Sequence, residues 1–164
     1  MDCAFEPLSE KHCAGVMAVF NHYVANSTAA YREQPVGEEH FQNFLEIAKT
    51  HPAYALVDGD GAVAGFCMIK PHSPLPTFAE TAELTYFLDP RATGKGLGTA
   101  ALERLEADAR GRGILTLLAS ISSENETSLG FHRKRGFVEC GRLPNIIKKF
   151  GRRFSIVWMC KELS

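Results

Sequence analysis

The chain has 164 residues, with 18 Lys and Arg against 19 Asp and Glu, and is 45% hydrophobic and 23% charged. That length suits one domain with a sizeable core, so 1–164 reads as a single unit. The balanced charge excludes a global field that would draw the protein to nucleic acid or an acidic membrane, and no apolar run approaches a membrane span.

The first residues, MDCAFEPLSEKH, show no basic-then-apolar leader. Five cysteines (Cys3, Cys13, Cys67, Cys140, Cys160) without Cys-x-x-Cys spacing read as reduced thiols of a cytoplasmic protein.

In chain order, CAFEPL alternates as a short first strand. Ser9 can cap a helix in which Val16, Met17, Val19, Phe20 and Tyr23 share a face. STAAYREQPVG breaks the pattern, and a second helix over 38–50 presents Phe41, Phe44, Leu45 and Ala48. Two strands flank DGDG, where Gly59 and Gly61 supply positive φ for a hairpin. Three prolines make PHSPLPTFAET an irregular loop. AELTYFL is a strand ended by Asp89-Pro90, and a helix over 97–110 follows, stopped by Gly111 and Gly113. The apolar run ILTLLASI predicts a central strand buried on both faces. A helix over 126–135, closed by Gly136, precedes two last strands, FVECGRL and FSIVWMCKEL, joined by the basic loop PNIIKKFGRR. The order β-α-α-β-β-β-α-β-α-β-β is a mixed α/β sheet, with a parallel βαβ unit (83–88, 97–110, 114–121) at its centre.

The stretch TGKGLGTAAL opens the helix of that unit. A P-loop needs Gly, four residues, then Gly-Lys-Ser/Thr; here Gly96 follows Lys95, and Asp89 stands five before Gly94. A dinucleotide fingerprint needs glycine where Thr99 stands. What remains is Gly94-x-Gly96-x-Gly98, whose amides from Gly94, Lys95, Gly96, Leu97, Gly98 and Thr99 can converge on a phosphate at a helix N-terminus. The plainer reading is a tight strand-to-helix connection, for which one glycine would serve.

TYFLDPRATGKGLGTAAL resembles the acetyl-CoA-binding segment of the GCN5-related N-acetyltransferases (GNAT), whose pattern is Gln/Arg-x-x-Gly-x-Gly/Ala. Aligned on Gly96 and Gly98, the Gln/Arg position falls on Thr93, a departure that offers only a hydroxyl. Arg91-x-x-Gly94-x-Gly96 satisfies the pattern two residues earlier. With FNHYVANSTAAYREQPV, AELTYFL, SSENETSLGFHRKRGF and KKFGRRFSIVWM, nearly the whole chain is similar to the phosphinothricin and methionine-sulfone acetyltransferase branch. The resemblance implies an α/β GNAT fold, with a mostly antiparallel sheet of six to seven strands and about four helices. It implies acetyl-CoA as co-substrate without a metal, and direct transfer in a ternary complex to the primary amine of a small molecule. An amino acid or analogue is the expected acceptor and a homodimer the expected assembly, with no nucleic-acid or membrane partner.

By the same resemblance Glu83 acts at the amine as general base, directly or through water; otherwise it is an edge carboxylate in an ion pair. His132 stands where many relatives carry tyrosine and would protonate the departing thiolate; otherwise it is a packing residue. Asn125, with Ser128, would hold the pantetheine arm, and Asn125 also suits a helix N-cap. A main-chain N–H near Leu88 would polarise the acetyl carbonyl. Tyr31 and Arg32, with the loop 70–78, would form the amine pocket, and Arg32, Lys70, His72 or Arg142 could meet a substrate carboxylate. Other readings are a protein N-terminal or lysine acetyltransferase, which needs an open peptide groove, and an acyl-CoA-binding module without catalysis.

Overall fold

Short apolar runs bounded by Asp, Gly and Pro become strands, and the stretches of 3.6-residue periodicity become helices, in the computed structural model, which describes residues 1–164. The strands are β1 (Ala4–Pro7), β2 (Ala53–Val57), β3 (Val63–Pro71), β4 (Thr81–Leu88), β5 (Thr116–Ser122), β6 (Val138–Lys149) and β7 (Arg152–Glu162). The helices are α1 (Cys13–Asn26), α2 (Phe41–Ala48), α3 (Leu97–Gly111) and α4 (Glu126–Lys134), so the predicted order of elements holds. All seven strands join one sheet in the order β1-β2-β3-β4-β5-β7-β6. Only β4 and β5 are parallel, with α3 as their crossover.

Strand residues alternate sides, so the sheet carries a core on each face. In β3, Cys67 and Ile69 meet Leu97, Ala101, Leu102, Leu105 and Ala109 of α3, while Phe66 and Met68 belong with Val16, Met17, Phe41 and Phe44 of α1 and α2. Each large side chain buried this way contributes ~1.5–3 kcal/mol.

Three expectations need correction. Gly61 has positive φ (83°), but Gly59 does not; the Asp58 carboxylate accepts the N–H groups of Asp60 and Ala62 and organises the turn instead. β5 is not buried on both faces: Leu117, Ala119 and Ile121 are buried, whereas Leu118 and Ser120 are only partly covered, and Leu115, just before the strand, is 50% exposed. The cause is that α1 and α2 lie over β2, β3 and β4 and stop short of β5. Finally, PNIIKKFGRR is mostly strand. β6 runs on to Lys149 through an irregularity between Leu143 and Ile147, where Pro144 cannot donate to the ladder and Asn145 adopts a φ of 51°. The turn itself is Phe150-Gly151, both at positive φ, as a two-residue hairpin of the primed type requires.

Candidate active site

β4 and β5 pair at only three positions, Thr81 with Thr116, Ala82 with Leu117 and Glu83 with Leu118. Beyond these, β4 stays with β3 as far as Leu88 and β5 stays with β7 as far as Ser122, so a split opens between them. The Asp89 N–H bonds the Ala64 carbonyl at 2.8 Å. Bonding alternates along an antiparallel strand, which turns the amides of Leu84, Tyr86 and Leu88 away from β3. The parallel ladder, whose last pair is Glu83 with Leu118, takes that of Leu84 and leaves those of Tyr86 and Leu88 in the split. Backbone groups left unpaired there can pair with the amides of an extended ligand arm. The Tyr23 hydroxyl donates to the Leu88 carbonyl at 2.5 Å and ties the strand end to α1.

The glycine loop lies at the mouth of the split. Gly94 and Gly96 hold φ of 72° and 81°, and a Cβ on either would meet nothing within 4 Å, so backbone conformation rather than crowding demands glycine. α3 begins at Leu97, and its first amides have no partner within the helix. Neither candidate for the Gln/Arg position points a free donor at the loop. Thr93 Oγ1 donates to the Pro90 carbonyl at 2.8 Å. Arg91 is committed to Asp89, whose carboxyl its guanidinium holds at about 2. A cation that sequence reasoning missed stands at the loop instead: Arg135, just past α4, donates to Thr99 Oγ1 at 2.7 Å. Its only sequence signal was the basic run HRKR.

β4 presents different chemistry to its two sides. Glu83, Thr85 and Phe87 lie on one face, in register with Lys70, Met68 and Phe66 of β3. The Glu83 side chain is 15% exposed and faces His72 Nδ1 at 3.4 Å and Lys70 Nζ at 4.0 Å. The ion-pair reading of Glu83 is therefore realised at the floor of a cavity, beneath α1 and α2.

Tyr86 lies on the opposite face, against α4. Asn125 caps that helix, accepting the Ser128 N–H at 3.1 Å. His132, 3% exposed, bonds the Ser128 carbonyl through Nδ1 at 2.7 Å. A carbonyl only accepts, so Nδ1 carries the proton and Nε2 accepts from the Tyr86 hydroxyl. Burial pushes the His132 pKa down and the Tyr86 pKa up, so both are neutral near pH 7. The expectation was a proton passed from His132 to the thiolate; in this geometry its Nε2 accepts, and the adjacent O–H belongs to Tyr86, which sequence reasoning did not single out.

The loop carrying Tyr31 and Arg32 is anchored from three directions. Tyr31 Oη bonds Ser120 Oγ at 2.8 Å, bridging the split to β5. Ser122 Oγ bonds Thr28 Oγ1 at 3.0 Å. Lys149, 1% exposed, donates to the carbonyls of Ser27 and Ala30, both at 2.7 Å, and burial depresses its pKa. Assigning Lys149 to a loop had hidden this role.

One cavity of about 980 Å³ runs from the glycine loop through the split to the face beneath α1 and α2. It gathers Tyr31, Arg32, Glu83, Leu88, Thr93, Gly94, Gly96, Gly98, Thr99, Asn125, Ser128 and His132 from the predicted set. The side chains of Lys95 and Leu97 do not line it, Leu97 being buried in the core between α3 and the sheet. Arg142 pairs with Glu139 on β6, away from the cavity. No cysteine lines it, and burial pushes the Cys67 thiol up to about 12.

The profile of the acetyltransferase (GNAT) family matches residues 16–137. Over 147 residues the chain is 32% identical to the L-methionine sulfoximine/L-methionine sulfone acetyltransferase of Pseudomonas aeruginosa, spanning 88% of this chain and 86% of that one. A ribosomal-protein-alanine N-acetyltransferase structure from Brucella melitensis superposes with a TM-score of 0.89 and 30% identity, over 98% of this chain and 99% of that one. A GNAT superfamily phosphinothricin acetyltransferase from Sinorhizobium meliloti, solved with acetyl-CoA, superposes with a TM-score of 0.93 and 25% identity, over 100% and 90%. The chain belongs to the GNAT acetyltransferase family. It is an acyltransferase whose co-substrate is acetyl-CoA, and the predicted α/β GNAT architecture stands.

Proposed function

We propose that this protein moves the acetyl group of acetyl-CoA to the primary amine of a small molecule, an amino acid or amino-acid analogue, by direct attack in a ternary complex. The observation that carries this reading is the two-sided strand β4 beside the split, with Tyr86 and His132 on one face of the sheet and Glu83 on the other. Bound acetyl-CoA supplies an activated acetyl thioester. The amides of 94–99 and the N-terminus of α3 suit its pyrophosphate, with Arg135 adding charge. Asn125, Ser128 and the free β4 amides suit the arm that enters the split.

Glu83 takes the proton of the amine, directly or through water, as the C–N bond forms. The Leu88 amide polarises the carbonyl. As the C–S bond breaks, the sulfur becomes an anion and competes with a neutral imidazole for the Tyr86 O–H. Charge-assisted hydrogen bonds are the stronger kind, so the hydroxyl turns to the sulfur, and His132 positions it beforehand. The thiolate then takes its proton from water, and Glu83 returns the amine proton to the solvent, which closes the proton balance.

The Brucella neighbour motivates a second reading, acetylation of a protein N-terminus. The Tyr31–Ser120 bridge over the split favours a small acceptor instead. The same proposal includes a cytoplasmic location, supported by five free cysteines, and a homodimer, supported by the outer strand β6 with Val138, Leu143 and Ile146 exposed. The test is thiol release from acetyl-CoA across amino acids, methionine sulfone, phosphinothricin, polyamines and peptides. Release with amino acids or their analogues supports the proposal. Release with peptides alone supports the second reading, and acetyl-CoA binding without release for any amine supports a binding module.

A further inference from the structure

The acceptor side of the cavity is lined by aromatic rings that make one continuous wall. Phe20 of α1 meets Phe44 of α2 edge-on at 5.8 Å and Phe87 of β4 at 5.6 Å. Met68 and Ile47 extend the same surface. Phe87 lies four residues along β4 from Glu83 on the same face, roughly 13 Å at ordinary strand rise.

The polar groups within this half are largely committed. The Tyr23 hydroxyl is spent on the Leu88 carbonyl, and the Tyr31 hydroxyl is engaged with Ser120. Thr85 and Lys70, whose Nζ faces Glu83 at 4.0 Å, are both at the end where the amine must sit. Asn43 and Arg32 stand exposed at the rim with His40, which stacks on Phe20. Arg32 has no hydrogen-bond or ion-pair partner, yet it lies close enough to help depress the His40 pKa, second to burial. An unpaired guanidinium beside an aromatic wall recognises a carboxylate attached to an apolar body.

We propose that the acceptor is an α-amino acid with a bulky hydrocarbon or aromatic side chain, seated against Phe20, Phe44 and Phe87 with its carboxylate at Arg32. This rests on the acetyl-transfer reading and narrows its acceptor. A sulfone or phosphinate oxygen placed against that wall would lose its water without gaining a donor, which costs affinity.

The test pairs L-phenylalanine and L-methionine with L-methionine sulfone and phosphinothricin in the thiol-release assay. The expected kcat/KM is higher for the apolar acceptors by ~10–10²-fold. Calorimetry then compares 3-phenylpropionate, which keeps the ring and carboxylate but has no amine, with glutarate. The ring compound is expected to bind about tenfold tighter, and Arg32→Gln to weaken it about tenfold while leaving acetyl-CoA binding unchanged. Equal or better turnover of the oxygen-bearing acceptors overturns the proposal. If no amine releases thiol, the acetyl-transfer reading fails and calorimetry alone decides: equal or tighter binding of glutarate overturns the apolar pocket, and the reverse order upholds it.

Discussion

The hydroxyl of Tyr86, on β4, ends on Nε2 of His132, on α4, and the other ring nitrogen of His132 ends on the carbonyl of Ser128. Two elements 46 residues apart thus hold one hydroxyl at the wall of the split. Residues that act as one unit are not additive. Tyr86→Phe and His132→Gln are each expected to lower kcat by roughly 10–10², and the double variant by little more than either alone. Steady-state kinetics on the three variants checks this; multiplying effects would mean that His132 acts independently of Tyr86.

His132 also predicts how stability responds to pH. Burial holds its folded-state pKa below the unfolded value of about 6.5. Below that value the unfolded chain binds the proton that the folded chain resists. Its contribution is therefore present above about pH 6.5 and is lost as pH falls through the folded pKa. Thermal melts should show stability falling from pH 7 towards pH 5, with a shallower fall in His132→Gln. His40 and His51 shift in the same direction and leave a residual slope.

At the glycine loop, Gly96→Ala forces a side chain into φ 81° with no steric neighbour to blame. The expected cost is ~1–2 kcal/mol, from backbone conformation alone. It should appear as weaker acetyl-CoA binding in calorimetry, with amine KM little changed. Arg135→Gln should also weaken acetyl-CoA binding, and more so as ionic strength falls, since exposed charge interactions are least screened there.

Lys149 tests the anchoring of the acceptor loop. Lys149→Met leaves the carbonyls of Ser27 and Ala30 without their donor, a loss of ~1–3 kcal/mol in stability. Because those carbonyls belong to the segment before Tyr31, the amine KM should rise while the acetyl-CoA Kd stays constant. A matched change in both would mean that the lysine supports the whole fold rather than this loop.

Local pattern carried much of this architecture. The apolar face of α3, the DGDG turn and the alternating glycines are each written within a few consecutive residues, so they could be read directly. What eluded reading was whatever depends on two distant segments meeting. Tyr86 looked like one more strand aromatic until α4 brought His132 to it. Arg135 and Lys149 looked like members of basic runs until Thr99 and the 27–31 loop were placed beside them. The open face of β5 was invisible for the same reason: ILTLLASI is apolar enough for full burial, but which helices reach it is decided elsewhere in the chain. PNIIKKFGRR reads locally as a basic loop, whereas cross-strand pairing with β7 keeps most of that segment extended.

Glu83 carries the central claim, because its carboxylate is the base assigned to the amine. Glu83→Gln keeps the shape of the side chain but cannot take a proton at neutral pH. The decisive measurement is its kcat at saturating amine, with the acetyl-CoA Kd determined on the same protein. The account predicts a fall of ~10²–10⁴ in kcat at an unchanged Kd. Turnover near that of the unaltered enzyme would contradict it.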